Sequence, residues 1–412
     1  MGKRSLLGFD KALSRRAFVI GGSAVAGAAI CAPAYAQAKT IRVGVSLGLS
    51  GSVAGVGESI LSGAKLYEKA YASSLPAGVK VELIIRDDGA SPDNARRIAQ
   101  ELIVRDRVQL LTGMSISPQA FSLAPVITSA KIPLIVTGAA TSSVTRASPY
   151  IVRVSETFWQ TSHTLGQWAA GHGFKRVYTL VADYASGLDV ENAFNTGYAK
   201  GGGQIVGSVR VPVATTDYLP FMHRIKEANP DAVMLFVNTG RTASAMKAFT
   251  DAGLKQAGVT MLGTAEMSTD DEIAKMGDEV IGLVSASPYQ VQSPAPANKE
   301  FLADWQKQYG ADAVPNFLSV CGWDGLAAIY SLVRETKGDF DGDKALSFLS
   351  RWATDKSPRG KISIDPETRD IVQTIYISRV EKVGGRPTSV IFDKVDAVKD
   401  PWKALNPPGP KQ

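Results

Sequence analysis

Four segments of the sequence combine small residues with hydroxyl side chains directly after short apolar runs. They read LSGSVAGVGES (49–59), TGMSISPQAF (112–121), TGAATSS (137–143) and ADYASG (182–187). Small residues let a backbone approach a ligand closely, and N–H groups at helix starts together with Ser and Thr hydroxyls can hold a carboxylate. Any one segment could be an ordinary turn or helix N-cap. Four of them together favour a site for an anion.

The sequence lacks the residue patterns of common catalytic, metal and cofactor sites. Its three histidines, His163, His172 and His223, are scattered without the spacing of metal ligands. There is no phosphate-binding G-x-x-x-x-G-K-[ST], no strand is followed by G-x-G-x-x-G, and no G-x-S-x-G nucleophile turn occurs. These absences argue against an enzyme and against a bound cofactor or metal.

Residues 1–38 have the composition of a cleavable export signal. Five basic residues precede an apolar stretch rich in Gly and Ala, which ends in small residues at a spacing suited to a signal peptidase. Residues 14–18, SRRAF, match the twin-arginine pattern. We therefore expect cleavage after Ala36 or Ala38 and a mature protein in the periplasm.

Two alternatives for this segment are less favoured. Pro33 shortens the apolar stretch below the roughly 20 residues that a membrane anchor needs. Lipid attachment at Cys31 is disfavoured because a bulky residue precedes it. Without Cys31, Cys321 has no partner for an intrachain disulfide. Five basic residues and one acid in the segment supply +4 of the formal charge of +6, so the mature chain carries about +2 and shows no nucleic-acid footprint.

The remaining chain alternates short apolar runs with segments of helical period. A helix is expected to begin at Pro92. Strands are expected at 41–49, 79–87, 108–113, 132–138, 176–183, 203–211, 232–237 and 259–264. Strands separated by helices predict parallel sheets covered on both faces. The pattern recurs on both sides of about residue 156, and the chain is too long for one core. The fold class is therefore α/β, with two doubly wound parallel-sheet lobes.

In order and spacing, these segments resemble those of the leucine/isoleucine/valine-binding proteins. These are the periplasmic receptors of branched-chain-type amino-acid importers, with the type I periplasmic binding fold. The resemblance covers about residues 39–395. It rests on LSGSVAGVGES, RDDGASPDNARRIAQELI, TGAATS, ADYASG and VCGWDGLAAIY.

The resemblance implies a division into two lobes joined by a three-segment hinge. Lobe 1 would take residues 39–156 and 288–371. Lobe 2 would take residues 157–287 and 372–406, leaving 407–412 as a tail. A ligand bound between the lobes would favour the closed form, because only there do both lobes touch it.

The resemblance also implies which residues contact the ligand carboxylate. From lobe 1 these are the main chain and hydroxyls of Ser115, Ala139 and Thr141. Tyr184 would press on the ligand from lobe 2. Met114 and Ser117 flank this site, either as ligand contacts or as loop packing. Neutral donors suffice for such a site, because each charge-assisted hydrogen bond contributes roughly 1.5–3 kcal/mol.

The sequence says less about which residues contact the end of the ligand opposite its carboxylate. The family places an acid after the strand VTMLG to pair with an amino group. Glu266 is the candidate, although it lies one position later than the spacing in the family implies. Ala265 is the alternative occupant of that position. Phe158, Trp159 and Tyr289 lie near the expected lobe crossings. If Glu266 misses the site, an aromatic or other apolar carboxylate becomes the better ligand.

The expected function is therefore that of a monomeric substrate-binding protein of an ABC importer. It would capture a small carboxylate, either an amino acid of the branched-chain type or an aromatic acid, and deliver it to permease and ATPase subunits. No nucleic-acid partner and no cofactor are expected. Two alternatives stay open: a ligand sensor for a membrane kinase, and a periplasmic enzyme that uses the same cleft.

Overall fold

The first sheet contains five parallel strands. The structure is a computed structural model that describes residues 39–238 and 240–407. The strands are β1 (Lys39–Leu47), β2 (Val79–Asp87), β3 (Leu110–Gly113), β4 (Leu134–Val136) and β5 (Ile151–Arg153). Their spatial order is β2-β1-β3-β4-β5, and every pairing is parallel. The carboxyl ends of these strands therefore lie along one edge.

The second sheet is mixed. Its parallel part consists of β6 (Arg176–Ala182), β7 (Gln204–Val211), β8 (Ala232–Phe236), β9 (Thr260–Thr264) and β10 (Val284–Ser287). Its antiparallel part consists of β11 (Ala353–Ser357), β12 (Gly360–Ile364), β13 (Ile371–Val383) and β14 (Arg386–Val398). The order is β11-β12-β13-β10-β9-β8-β6-β7, and β14 pairs with β13. The long strand β13 thus joins the parallel part to the β11–β12 hairpin.

Twelve α-helices lie between and after these strands in the described part of the chain. They are α1 (Ala54–Tyr71), α2 (Pro92–Val104), α3 (Ser117–Ala130), α4 (Phe158–Gly171), α5 (Ala185–Lys200), α6 (Leu219–Glu227), α7 (Thr242–Asp251), α8 (Asp270–Met276), α9 (Pro296–Tyr309), α10 (Phe317–Thr336), α11 (Gly342–Leu349) and α12 (Trp402–Leu405). The regular alternation of strand and helix confirms the predicted α/β class.

The elements predicted from apolar patterns match the observed ones closely. All eight predicted strands are present, and α2 begins at Pro92 as expected, with its predicted apolar face buried. The sequence did not predict β5 or β10 to β14. The antiparallel part of the second sheet is therefore an addition to the expected doubly wound pattern.

Each sheet has its own apolar core. Val43 of β1 and Ile135 of β4 share a core with α10 and with Ile362 of β12. Leu180 of β6 and Leu235 of β8 share another with α6 and α7. The hairpin β11–β12 thus packs on the first sheet although its hydrogen bonds connect it to the second. The lobe boundaries stay a prediction.

A glycine sets the distance between α1 and α10, which carries the segment VCGWDGLAAIY. A Cβ atom on Gly63 would lie 1.8 Å from the carbonyl oxygen of Ser319. No side chain fits at that distance, so the two helix backbones touch directly. This contact fixes α1, and with it the loop that follows β1.

Some predictions concern residues outside the described ranges. The export signal, its cleavage sites and Cys31 lie in residues 1–38, and most of the predicted tail lies in 408–412. Within the described residues, Cys321 is a buried free thiol. The same residues include no cluster of potential metal ligands and no helix with the length and apolarity to cross a bilayer.

Candidate functional site

Three of the hydroxyl-rich segments meet at the carboxyl edge of the first sheet. The Gly48 N–H, after β1, donates to the Ser115 hydroxyl oxygen at 3.0 Å. The Thr141 N–H, after β4, donates to the Ser117 hydroxyl oxygen at 3.1 Å. Strand order explains this meeting, because β1, β3 and β4 are neighbours. Both serine oxygens accept in these bonds, so each hydroxyl proton remains for another acceptor.

Two other candidates, Ala139 and Met114, are engaged within the first sheet. The Ala139 N–H donates to the Met114 carbonyl oxygen at 2.9 Å. The Met114 side chain is fully buried in the core between α2, α3 and the sheet. In this structure the Ala139 N–H is therefore already used, and Met114 acts as loop packing.

An aromatic wall stands at the carboxyl edge of the second sheet; we use this name for Tyr184, Phe236 and Phe158. The Tyr184 ring stacks on Phe236 with 6.1 Å between centroids, and Phe158 meets Phe236 edge-on at 5.3 Å. Tyr184 keeps 37% of its surface accessible. Burial, followed by the nearby Glu266 carboxyl, raises the pKa of Tyr184 to about 12. Its hydroxyl is therefore a donor at neutral pH.

The two edges come together where α4 begins. The Phe158 N–H donates to the Ala140 carbonyl oxygen at 3.1 Å, which joins α4 to the β4 loop, residues 137–143. We call Thr141 and Trp159 the donor pair. Both face Asp189 of α5: burial raises the pKa of this carboxyl, and the Trp159 indole and the Thr141 hydroxyl lower it.

One member of the donor pair, Trp159, has a free hydrogen-bond donor in the described part of the chain. Trp159 Nε1 and Asp189 Oδ2 are buried and have no hydrogen-bond partner within the described ranges. A buried N–H without an acceptor costs free energy unless a ligand or water supplies one. A ligand carboxylate bound between the β4 loop and α5 would supply that acceptor to Trp159.

Two carboxyl groups, which we call the carboxyl pair, lie beyond the aromatic wall. Glu266 follows β9 and Glu156 follows β5, and each has a buried Oε2 with no partner among the residues described. Burial, and next the Glu266 carboxyl, raise the pKa of Glu156 well above its usual range, whereas Arg359 lowers it. Burial also raises the pKa of Glu266. The pair thus offers two acceptor oxygens, one on each carboxyl, that no group in the described part of the chain uses.

Tyr289 occupies a different position. Its hydroxyl donates to Asn298 Oδ1 at 2.9 Å, and its ring meets Phe301 edge-on. Burial raises its pKa above the usual range. It lines a small, partly open pocket together with Ala265 and Asn316. The Tyr289 hydroxyl is therefore committed to a contact inside the protein.

The structure thus brings only some of the predicted site residues together. It brings Thr141, Trp159, Tyr184 and Glu266 to the facing edges of the two sheets. Sequence reasoning missed Glu156, Asp189 and Phe236. A usable signal existed for Phe236, which lies one residue before the end of an apolar strand run that leads into a polar loop. None existed for the two acids, because their importance comes from burial.

A substitution of Glu156 tests the buried carboxyl. Its raised pKa means that the folded state holds the proton more tightly than the unfolded chain does. The stability of the fold therefore falls as the pH rises from the ordinary pKa of 4.5 to the raised pKa of the folded state. Glu156→Gln is therefore expected to raise the melting temperature at neutral pH, with a gain that vanishes near about pH 4. Melting curves across pH measure this, with exposed Glu227→Gln as control. An equal gain at every pH would contradict a buried, titrating Glu156.

Comparisons with known proteins agree with this architecture. Residues 40–385 match the family described as "Periplasmic binding protein". The chain is 35% identical to the Leu/Ile/Val-binding protein homolog 6 of Brucella abortus, over 85% of this chain and 90% of that protein.

Two solved structures are similar over nearly their whole length. One is a solute-binding protein of an ABC transporter from Rhodopseudomonas palustris BisB5, in complex with 3,4-dihydroxybenzoic acid. It is 44% identical, with a TM-score of 0.82, over 88% of this chain and 99% of that one. The other is a solute-binding protein of an ABC transporter from Rhodopseudomonas palustris HaA2, in complex with p-hydroxybenzoic acid. It is 37% identical, with a TM-score of 0.83, over 89% and 100%.

These matches confirm the resemblance and the type I periplasmic binding fold. The family and both neighbours are solute-binding proteins. The chain therefore belongs to the periplasmic binding protein family, as a substrate-binding protein of the ABC transporter type.

Proposed function

We propose that this protein captures a hydroxylated aromatic carboxylate, of the hydroxybenzoate type, between its two lobes and delivers it to the permease and ATPase of an importer. The observation that carries the proposal is the carboxyl pair. Glu156 and Glu266 each keep a buried oxygen that has no partner in residues 39–238 and 240–407. A ligand with a hydroxyl group at the end opposite its carboxylate supplies the missing donor.

The ligand carboxylate would bind at the donor pair and the neighbouring serines. Thr141, Trp159, Ser115 and Ser117 offer neutral donors, each worth about 1.5–3 kcal/mol to a charged acceptor. Asp189 lies on the same side, and burial raises its pKa, which reduces its repulsion of an incoming anion. A ligand carboxylate would take over the donors that now face Asp189.

The ligand ring would lie against the aromatic wall. Tyr184 is the accessible member of this wall, and Phe236 holds it in a stacked position. Contacts between aromatic rings contribute about 0.5–1.5 kcal/mol beyond the burial of their area. A flat ligand gains this contact on a whole face, which a branched aliphatic side chain does not.

The chemistry of the carboxyl pair favours a phenol over an ammonium group. Burial raises the pKa of both Glu156 and Glu266, which disfavours their charged forms. An ammonium group needs an ionised partner, whereas a phenolic hydroxyl needs only an acceptor oxygen. The two similar structures from Rhodopseudomonas palustris, which hold hydroxybenzoic acids, also support this choice.

A branched-chain amino acid is the second candidate. Glu266 follows β9 in the region where the family places the acid that pairs with an amino group, and the Brucella relative is named for Leu, Ile and Val. In either case the ligand would hold together lobes with the boundaries and three-segment hinge expected from the sequence. The closed form is favoured because both lobes contact the ligand.

Glu266→Gln separates the two candidates. Benzoate, 4-hydroxybenzoate and leucine are titrated calorimetrically into the wild type and the variant. We expect the variant to bind 4-hydroxybenzoate no more than about tenfold more weakly, because the glutamine amide oxygen still accepts the phenolic hydrogen bond, and to bind benzoate unchanged. Glu227→Gln, exposed at the end of α6, should change neither. A protein that binds leucine alone, and loses it in the variant, would be an amino-acid receptor.

A further inference from the structure

One buried arginine donates several hydrogen bonds to the β4 loop. Arg153 is the last residue of β5, and its side chain is 0% exposed. Its Nη1 donates to the carbonyl oxygens of Ala139 at 3.2 Å and of Thr141 at 2.8 Å. Its Nη2 donates to the carbonyl oxygen of Ser142 at 3.4 Å. A single guanidinium therefore contacts three carbonyls of the loop.

The remaining carbonyl in this stretch is also turned inward. The Ala140 oxygen accepts the Phe158 N–H, and the Ser155 hydroxyl adds a second bond to the Ala139 oxygen at 3.3 Å. Four consecutive carbonyls thus accept hydrogen bonds, three of them from Arg153 and the fourth from the start of α4. Carbonyl oxygens carry partial negative charge and would repel a carboxylate. Because these oxygens are already bonded, they are not free to face an anion, and the Thr141 hydroxyl is the group that the loop can offer to a ligand.

The same arginine connects the loop to β13 and to the C-terminal segment. Arg153 Nε and Nη2 donate to Asp370 Oδ1 at 2.9 and 2.7 Å. Asp370 directly precedes β13, the strand that joins the two parts of the second sheet. Lys403 of α12 donates to the other oxygen of Asp370. Removing the guanidinium would therefore leave Asp370 with one cationic partner, so the fold should survive the change.

We propose that Arg153 is a positioning residue that orients the β4 loop for anion binding and couples it to Asp370 at the start of β13, without touching the ligand. The loop's role in anion binding rests on the proposed function. The orientation of the loop does not, because it is a property of the empty protein. Lysine keeps the charge of arginine but not its planar fork, so it cannot hold Ala139, Thr141 and Asp370 together.

Arg153→Lys is the test, with two measurements. Hydrogen exchange of the empty protein should be faster in residues 139–142 and unchanged in the other loops of the first sheet. Titration with 4-hydroxybenzoate should show about 10- to 100-fold weaker binding, the range found for residues that orient metal ligands. Arg176→Lys is the matched control, because Arg176 begins β6, at the opposite edge, and holds the carbonyls of Ala228 and Asn229.

The outcomes separate this inference from the proposed function. If the wild-type protein does not bind 4-hydroxybenzoate, the proposed function is overturned. The hydrogen-exchange measurement still decides the role of Arg153 in that case. Unchanged exchange in residues 139–142 of Arg153→Lys overturns the inference. So does faster exchange throughout the first sheet, which would show a general structural role. Faster local exchange together with wild-type affinity would remove the link to anion binding.

Discussion

Replacing Arg359 with methionine is expected to lower the free energy of unfolding by about 3–5 kcal/mol. Arg359 and Asp324 are both fully buried, with Nε and Nη2 each 2.8 Å from Asp324 Oδ2. The same guanidinium donates to Gln373 Oε1 and to the Val154 carbonyl oxygen, each at 2.7 Å. Methionine would leave a buried carboxyl without its cation. Urea unfolding of the wild type and the variant measures the loss.

The double variant Arg359→Met/Asp324→Leu is the control for this effect. Removing both partners avoids the unpaired charge, so much of the lost stability should return. Recovery will be incomplete because Val154 and Gln373 also lose a donor. A loss below about 1 kcal/mol in the single variant would be typical of an exposed pair and would contradict the burial described here.

Thr141→Val should weaken the binding of a carboxylate ligand by about 10- to 100-fold, the equivalent of one hydrogen bond to a charged group. Valine keeps the shape of threonine but removes its hydroxyl. The Thr141 N–H already donates to the Ser117 hydroxyl oxygen, so the hydroxyl is the group that Thr141 offers to the cleft. Calorimetric titration with 4-hydroxybenzoate measures the change.

Thr196→Val is the matched control for Thr141→Val. Thr196 lies on the exposed face of α5, where its hydroxyl donates to the Asn192 carbonyl oxygen. This variant should bind the ligand as the wild type does. Wild-type affinity in Thr141→Val would remove Thr141 from the site and would place the ligand carboxylate elsewhere in the cleft.

The fold was largely predictable where strands are buried on both faces. AVMLF of β8 is apolar at every position and was found from composition alone. The hairpin β13–β14 was not, because polar residues interrupt both strands and β14 is largely exposed. Its turn did carry a signal: Gly384 and Gly385 both have positive φ, as a tight hairpin connection requires.

The site was predictable in its location but not in its detail. Parallel strand order was enough to bring the loops of Ser115 and Thr141 together. Which groups are already used depends on individual hydrogen bonds, as the Ala139 N–H shows. Glu156 could not be recognised from the sequence, because its missing partner is a consequence of packing between distant segments. Arg153 could not be recognised either, because the strand that it ends, β5, was not predicted.

Calorimetric titration of the purified wild-type protein tests the central claim most directly. With 4-hydroxybenzoate or 3,4-dihydroxybenzoate we expect saturable binding of one molecule per chain. A hundredfold excess over the dissociation constant should stabilise the fold by about 2.7 kcal/mol. Leucine should give no signal. Saturable binding of leucine, with no heat from either aromatic acid, would contradict the account.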